Sequence, residues 1–108
     1  MMNLTRGESF TIEIFFDLDM EELESFEVSV VQNGKTVICK GMAEAVIDRD
    51  EKCAWMTLSG EETAKLHSGG PAWAQTRGIL TDGETLLSEV EEISAVDTLH
   101  ERGNRSWC

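Results

Sequence analysis

Basic residues are scarce in this chain: nine lysines and arginines stand against 21 aspartates and glutamates, a formal charge of −12. Such a surface repels phosphate backbones and anionic headgroups, which disfavours direct binding of nucleic acid or membrane. Long apolar runs are also missing, and no stretch approaches the ~20 residues that span a bilayer. The start Met1-Met2-Asn3-Leu4-Thr5-Arg6 lacks the apolar core of a signal peptide, so a cytoplasmic location is expected. Histidine occurs twice, at His67 and His100, and neither has a cysteine or another histidine at ligand spacing. Structural zinc is therefore not expected. Nor is a hydrolase constellation, because His67 stands at a helix end beside Ser68-Gly69-Gly70 and His100 in a polar tail. The sequence offers no catalytic residue, no cofactor site and no metal site.

Tyrosine is absent, which leaves Trp55, Trp73 and Trp107 as the large amphipathic side chains. They could form a stacking platform in a small ligand-binding module, but without interleaved basic residues nucleic acid is a poor ligand for it. Core or interface packing is the reading adopted for Trp55 and Trp73. Cysteine is odd in number, and in a reducing compartment Cys39, Cys53 and Cys108 read as free thiols. Cys39 and Cys53 lie in apolar segments and are expected in the core, whereas terminal Cys108 is expected at the surface. No proline- or glycine-rich linker divides the 108 residues, of which 41% are apolar. One domain is expected over residues 1–96, with a polar tail over 97–108.

What is abundant is period-two alternation. Phe10, Ile12, Ile14 and Phe16 alternate with Thr11, Glu13 and Phe15, which predicts a strand over 8–17 with one buried face. The acidic Asp17 to Glu24 segment predicts a loop or helical turn. It resembles a calcium loop only in its closely spaced oxygens and lacks the glycine and bidentate glutamate of that motif. Phe26, Val28 and Val30 begin a second strand. Asn33-Gly34 then predicts a hairpin to 36–40, because a type I′ turn needs positive φ at both central residues. Segments 43–48 and 53–58 flank a polar loop at 49–52, and Asp82-Gly83 joins 72–80 to 84–90. Residues 84–94 also fit a helix through Leu86, Leu87, Val90 and Ile93; the strand is preferred because segment 72–80 needs a partner. Phe10, Ile12, Ile14, Val28, Val30, Trp55 and Leu58 form the expected core.

Between the strands, Ser59 and Glu62 have capping-box spacing and predict one short helical turn, ended by Gly69-Gly70-Pro71. With no following lysine and hydroxyl, that glycine pair is a turn and not a phosphate loop. About seven strands, three hairpins and one helical crossover point to an all-β antiparallel sandwich, with an open barrel as the alternative. Phe15, Val31 and either Trp73 or Ile79 fall on faces that alternation assigns to solvent, so Phe15, Val31 and Trp73 are the candidate interface.

The order Leu4-Thr5-Arg6-Gly7-Glu8, then Leu58 to Leu66, then Gln75-Thr76-Arg77 and Asp82-Gly83 resembles the small immunoglobulin-like β-sandwich domains of phage and prophage tail and baseplate proteins. The resemblance covers about residues 4–96. It departs at the acidic Glu21 to Glu24 run and at Trp73, where a tyrosine-bearing strand is usual. It implies a non-enzymatic structural or adaptor role, with the chain itself or neighbouring virion proteins as partners, and assembly from the cytoplasm of the producing bacterium into a virion. The rival readings are an acidic DNA mimic that inhibits a host nucleic-acid enzyme, and the ligand-binding module.

Overall fold

Alternating side chains build two sheets in the computed structural model, which describes residues 2–68, 70–88 and 90–97. The strands are β1 (Met2–Thr5), β2 (Phe10–Phe15), β3 (Leu23–Gln32), β4 (Lys35–Gly41), β5 (Ala45–Asp48), β6 (Cys53–Leu58), β7 (Pro71–Leu80), β8 (Thr85–Leu87) and β9 (Glu91–Val96). A single helical turn, α1 (Gly60–Thr63), separates β6 from β7. The larger sheet runs β1-β9-β7-β3-β4, with β8 also on β7, and the smaller runs β2-β6-β5. Their inner faces enclose a core that includes Ile12, Ile14, Phe26, Val28, Val30, Ile38, Met56, Leu58 and Ile93.

This is an immunoglobulin-like sandwich. The order β2-β6-β5 corresponds to strands B, E and D of that fold, and β4-β3-β7-β9 to C′, C, F and G. Among the described residues no strand takes the A position beside β2. Cysteine is absent from both β2 and β7, which carry Ile12, Ile14, Ala72 and Ala74 in the core where antibody domains place a B–F disulfide.

Each hairpin is closed by the chemistry of its turn. Asn33 and Gly34 both have positive φ, 55° and 75°, which lets β4 fold back on β3. Between β5 and β6, the Asp48 carboxylate accepts the Asp50 and Glu51 amides at 3.1 Å each. At the third hairpin only Gly83 has positive φ, and its amide donates to the Leu80 carbonyl at 2.9 Å. That is a three-residue loop with a bulged glycine, and it starts β8 on β7.

Several expectations are corrected. The strand foreseen over 8–17 is shorter, and β1 precedes it, pairing parallel with β9 from Met2↔Ile93 to Thr5↔Val96. Among the described residues the sandwich has nine strands, antiparallel but for this one pair. The segment foreseen over 84–90 is strand, but it breaks at Ser88: the Ser88 hydroxyl accepts the Thr76 amide and its carbonyl accepts the Gln75 side chain, both at 2.9 Å. Trp55 is not in the core. Inward positions on β6 belong to Ala54, Met56 and Leu58, so Trp55 lies on the outer face, where its Nε1 donates to Glu13 at 2.8 Å. Cys39 is exposed, because inward Ile38 precedes it; Cys53 is 3% exposed, although its register places it beside Phe15 and Asp48. Burial pushes the Cys53 thiol pKa up, and Asp48, Glu13 and Glu51 push it further. His100, Trp107 and Cys108 lie outside the described residues.

Candidate interaction surfaces

The β1–β2 loop and the turn after β6 lock together at one end of the sandwich. Ser59 caps α1 by accepting the Glu62 amide at 3.1 Å, and the Glu62 carboxylate accepts the Ser59 amide at 2.8 Å, as the spacing predicts. Lys40 donates to the same carboxylate at 2.9 Å and to the Thr57 carbonyl at 2.7 Å. The Ser59 amide is the main cause that holds the Glu62 pKa below its ordinary value; burial opposes it and Lys40 adds to it. Buried Thr63 accepts the Gly7 amide at 3.0 Å and donates to the Glu8 carbonyl at 2.8 Å. Arg6 donates to the Leu66 and Ala64 carbonyls and pairs with Asp97 at 2.7 Å.

Immunoglobulin domains commonly tie this corner with a tyrosine hydroxyl. Here the tie is made by Thr63 and by Gln32, whose buried amide group accepts the His67 amide at 2.8 Å and donates to the His67 and Gly70 carbonyls. These are the Arg6-Gly7-Glu8 and Ser59 to Leu66 motifs singled out in the sequence. The polar side chains of Arg6, Ser59, Glu62 and Thr63 are engaged within or beside this corner, and among the described residues no buried side-chain nitrogen or oxygen lacks a partner. The corner is built to hold the fold.

Exposed apolar side chains lie elsewhere. Val31 and Trp73 face each other across β3 and β7 on the outside of the larger sheet, Val31 half-buried and Trp73 42% exposed. Phe15, 72% exposed, belongs to the other sheet, at the end of β2. The three residues named from the sequence therefore form two separate places and not one patch. Trp55 and Trp73 sit on different sheets and share no platform. Val46 continues the outer row through Trp55 to Glu13 across the smaller sheet and is exposed.

Sequence reasoning did not mark Leu86 and Leu87 as surface contacts; both are exposed and line a cleft with Phe15, and Val90 is exposed as well. The signal was there in the adjacent pair Leu86-Leu87, which breaks alternation and must place one leucine on each face. Among the described residues no group of three His, Cys, Asp or Glu side chains could hold a metal ion, and no helix is long and apolar enough to cross a membrane. Asp19, in the acidic loop, lies 3.5 Å from Lys52.

No family model matches the sequence, and no curated protein matches it. Among solved structures, the chain is similar to the strand-swapped dimer of the extracellular domain of mouse leukocyte-associated immunoglobulin-like receptor 1. The two are 11% identical with a TM-score of 0.47, over 90% of this chain and 80% of that one. It is also similar to Drosophila OTK extracellular domains 3–5, at 12% identity and a TM-score of 0.43, over 88% of this chain and 32% of that one. A third is the V domain of amphioxus IgVJ-C2, at 9% identity and a TM-score of 0.38, over 87% and 98%. The immunoglobulin-like assignment stands on the chain's own strand order.

Proposed function

We propose that the chain is a non-enzymatic protein-interaction module, a structural or adaptor component of a phage or prophage tail or baseplate. The observation that carries the interaction role is the placement of large apolar side chains, Phe15, Val46, Trp73 and Leu87, at exposed sites of a sandwich in which, among the described residues, every buried side-chain nitrogen and oxygen has a partner. The virion setting is supported by the sequence resemblance around Arg6-Gly7-Glu8 and Ser59 to Leu66. Partners on this reading are copies of the chain or neighbouring virion proteins, met on sheet faces and edges.

The DNA-mimic reading is weaker. On the smaller sheet's outer row, Glu13 is followed by Trp55 and Val46, so apolar side chains interrupt the acids where a mimic needs carboxylates at phosphate spacing. The two readings part experimentally. Particles released from the producing cell, purified and quantified by mass spectrometry, should hold the chain in fixed ratio to tail proteins. A chain confined to the soluble host fraction in complex with a nucleic-acid enzyme would overturn the virion role.

A further inference from the structure

Among the described residues β2 is an edge strand whose only partner is β6. The Phe16 amide donates to the Lys52 carbonyl at 2.8 Å, so antiparallel alternation turns the backbone groups of Ile14 and Ile12 toward β6 as well. Thr11, Glu13 and Phe15 then present their amides and carbonyls to the open side. Side chains approach most closely at non-hydrogen-bonded pairs, and those are where Thr11 meets Thr57 at 3.0 Å and Glu13 meets Trp55 at 2.8 Å.

Beside this edge run two adjoining clefts, of about 230 and 190 Å³, that share Ile14, Phe15, Thr76 and Ser88. The groove they form reaches Val28 and Ala74 of the core and is walled on the far side by Leu86 and Leu87. Leu86 pairs with Gly78, which is buried on the inner side of β7, yet Leu86 is 41% exposed. It is an inward-facing leucine that no strand among the described residues covers. The groove's charged lining is Glu13, Asp17 and Glu91, with no basic residue among the described ones.

We propose that the open edge of β2 is a strand-acceptor site, which takes an extended segment of a partner protein that alternates apolar residues with lysine or arginine. The segment adds to the smaller sheet beside β2, bonds the free groups of Thr11, Glu13 and Phe15, and lays its apolar side chains over Ile14 and Leu86. Its basic residues fall on the outer face, where they meet Glu13, with Asp17 just beyond the end of β2. A second copy is the poorer occupant, because each carries a charge of −12 and β2 brings glutamate, not lysine, to the shared edge. This inference rests on the interaction-module reading and names the chemistry of its partner.

The probe is a short synthetic peptide alternating lysine with valine, compared with a glutamate–valine counterpart and with a lysine–valine version N-methylated on alternate amides. Amide exchange is followed by NMR on the full chain. The lysine peptide should slow exchange at Thr11, Glu13 and Phe15 by about tenfold or more, and added salt should reverse this. The two control peptides should leave exchange unchanged, and Glu13→Lys should shift preference toward the glutamate peptide, its fold checked in the same spectra. Equal slowing by the glutamate peptide, slowing confined to the β5 edge, or no slowing would each overturn the site. Slowing that follows protein concentration without peptide would also overturn it, by making a second copy the occupant. A domain built into particles but unresponsive to every peptide would sink this inference alone; peptide docking on a domain absent from particles would sink the virion role alone.

Discussion

Gly60 and Thr63 carry the contact between α1 and the β1–β2 loop. A Cβ on Gly60 would stand 2.5 Å from the Gly7 carbonyl oxygen, which is backbone and cannot swing aside. Gly60→Ala should therefore cost about 1–3 kcal/mol through overpacking. Thr63→Val keeps the shape but strands the Gly7 amide and the Glu8 carbonyl, at about 1–3 kcal/mol for each unsatisfied group. Urea unfolding measures both; a Thr63→Val variant as stable as the parent would show that water serves those groups equally well. Glu62→Gln keeps the capping-box geometry and removes the charge. The folded Glu62 pKa is depressed, so its stabilisation is present above the unfolded value of about 4.3 and is lost as pH falls through the lower folded value. The melting temperatures of parent and variant should differ at neutral pH and converge in acid; a gap that persists there would contradict the assigned cause. At this scale Ile12, Val28, Val30 and Leu58 were legible as core, because each holds the inner phase of its strand. Trp55 and Cys39 were misplaced, since apolar character was given weight over phase.

Hairpins were the most legible elements, because their information is local. Asn33-Gly34 required positive φ and has it at both residues, so Gly34→Ala should cost about 1–2 kcal/mol. Open space surrounds the new methyl, which makes backbone strain the cause. Denaturant titration reads the loss, and an unchanged midpoint would remove the strain argument. β1 was not legible: Met2–Thr5 is only four residues long and draws its strand character from β9, far away in sequence. The break at Ser88 was hidden for a related reason, since it depends on bonds to Gln75 and Thr76 across the sheet. The β2 edge was likewise invisible, because alternation reports faces of a strand and says nothing of its neighbours.

For the whole molecule, charge and apolar surface act against each other. Each chain carries −12, while Val31 and Trp73 form an apolar pair on the outer face of the larger sheet. Self-association through that face should strengthen as salt rises, because a Debye length of about 8 Å at physiological ionic strength screens the general repulsion. Light scattering across protein and salt concentration tests this, with Trp73→Lys as the control. A strict monomer at high concentration and high salt would remove the face as a contact surface. Strand addition at β2 has the opposite salt dependence, so the two modes are separable in one titration.

The central claim is that this sandwich leaves the β2 edge open for a partner. Residue-resolved amide exchange on the free, monomeric domain tests it most directly. Along β2, Ile12, Ile14 and Phe16 should be protected through β6, while Thr11, Glu13 and Phe15 exchange at rates close to those of exposed loops. Protection of both sets alike would mean that the edge is already covered, and the account of how this domain meets its partner would fail.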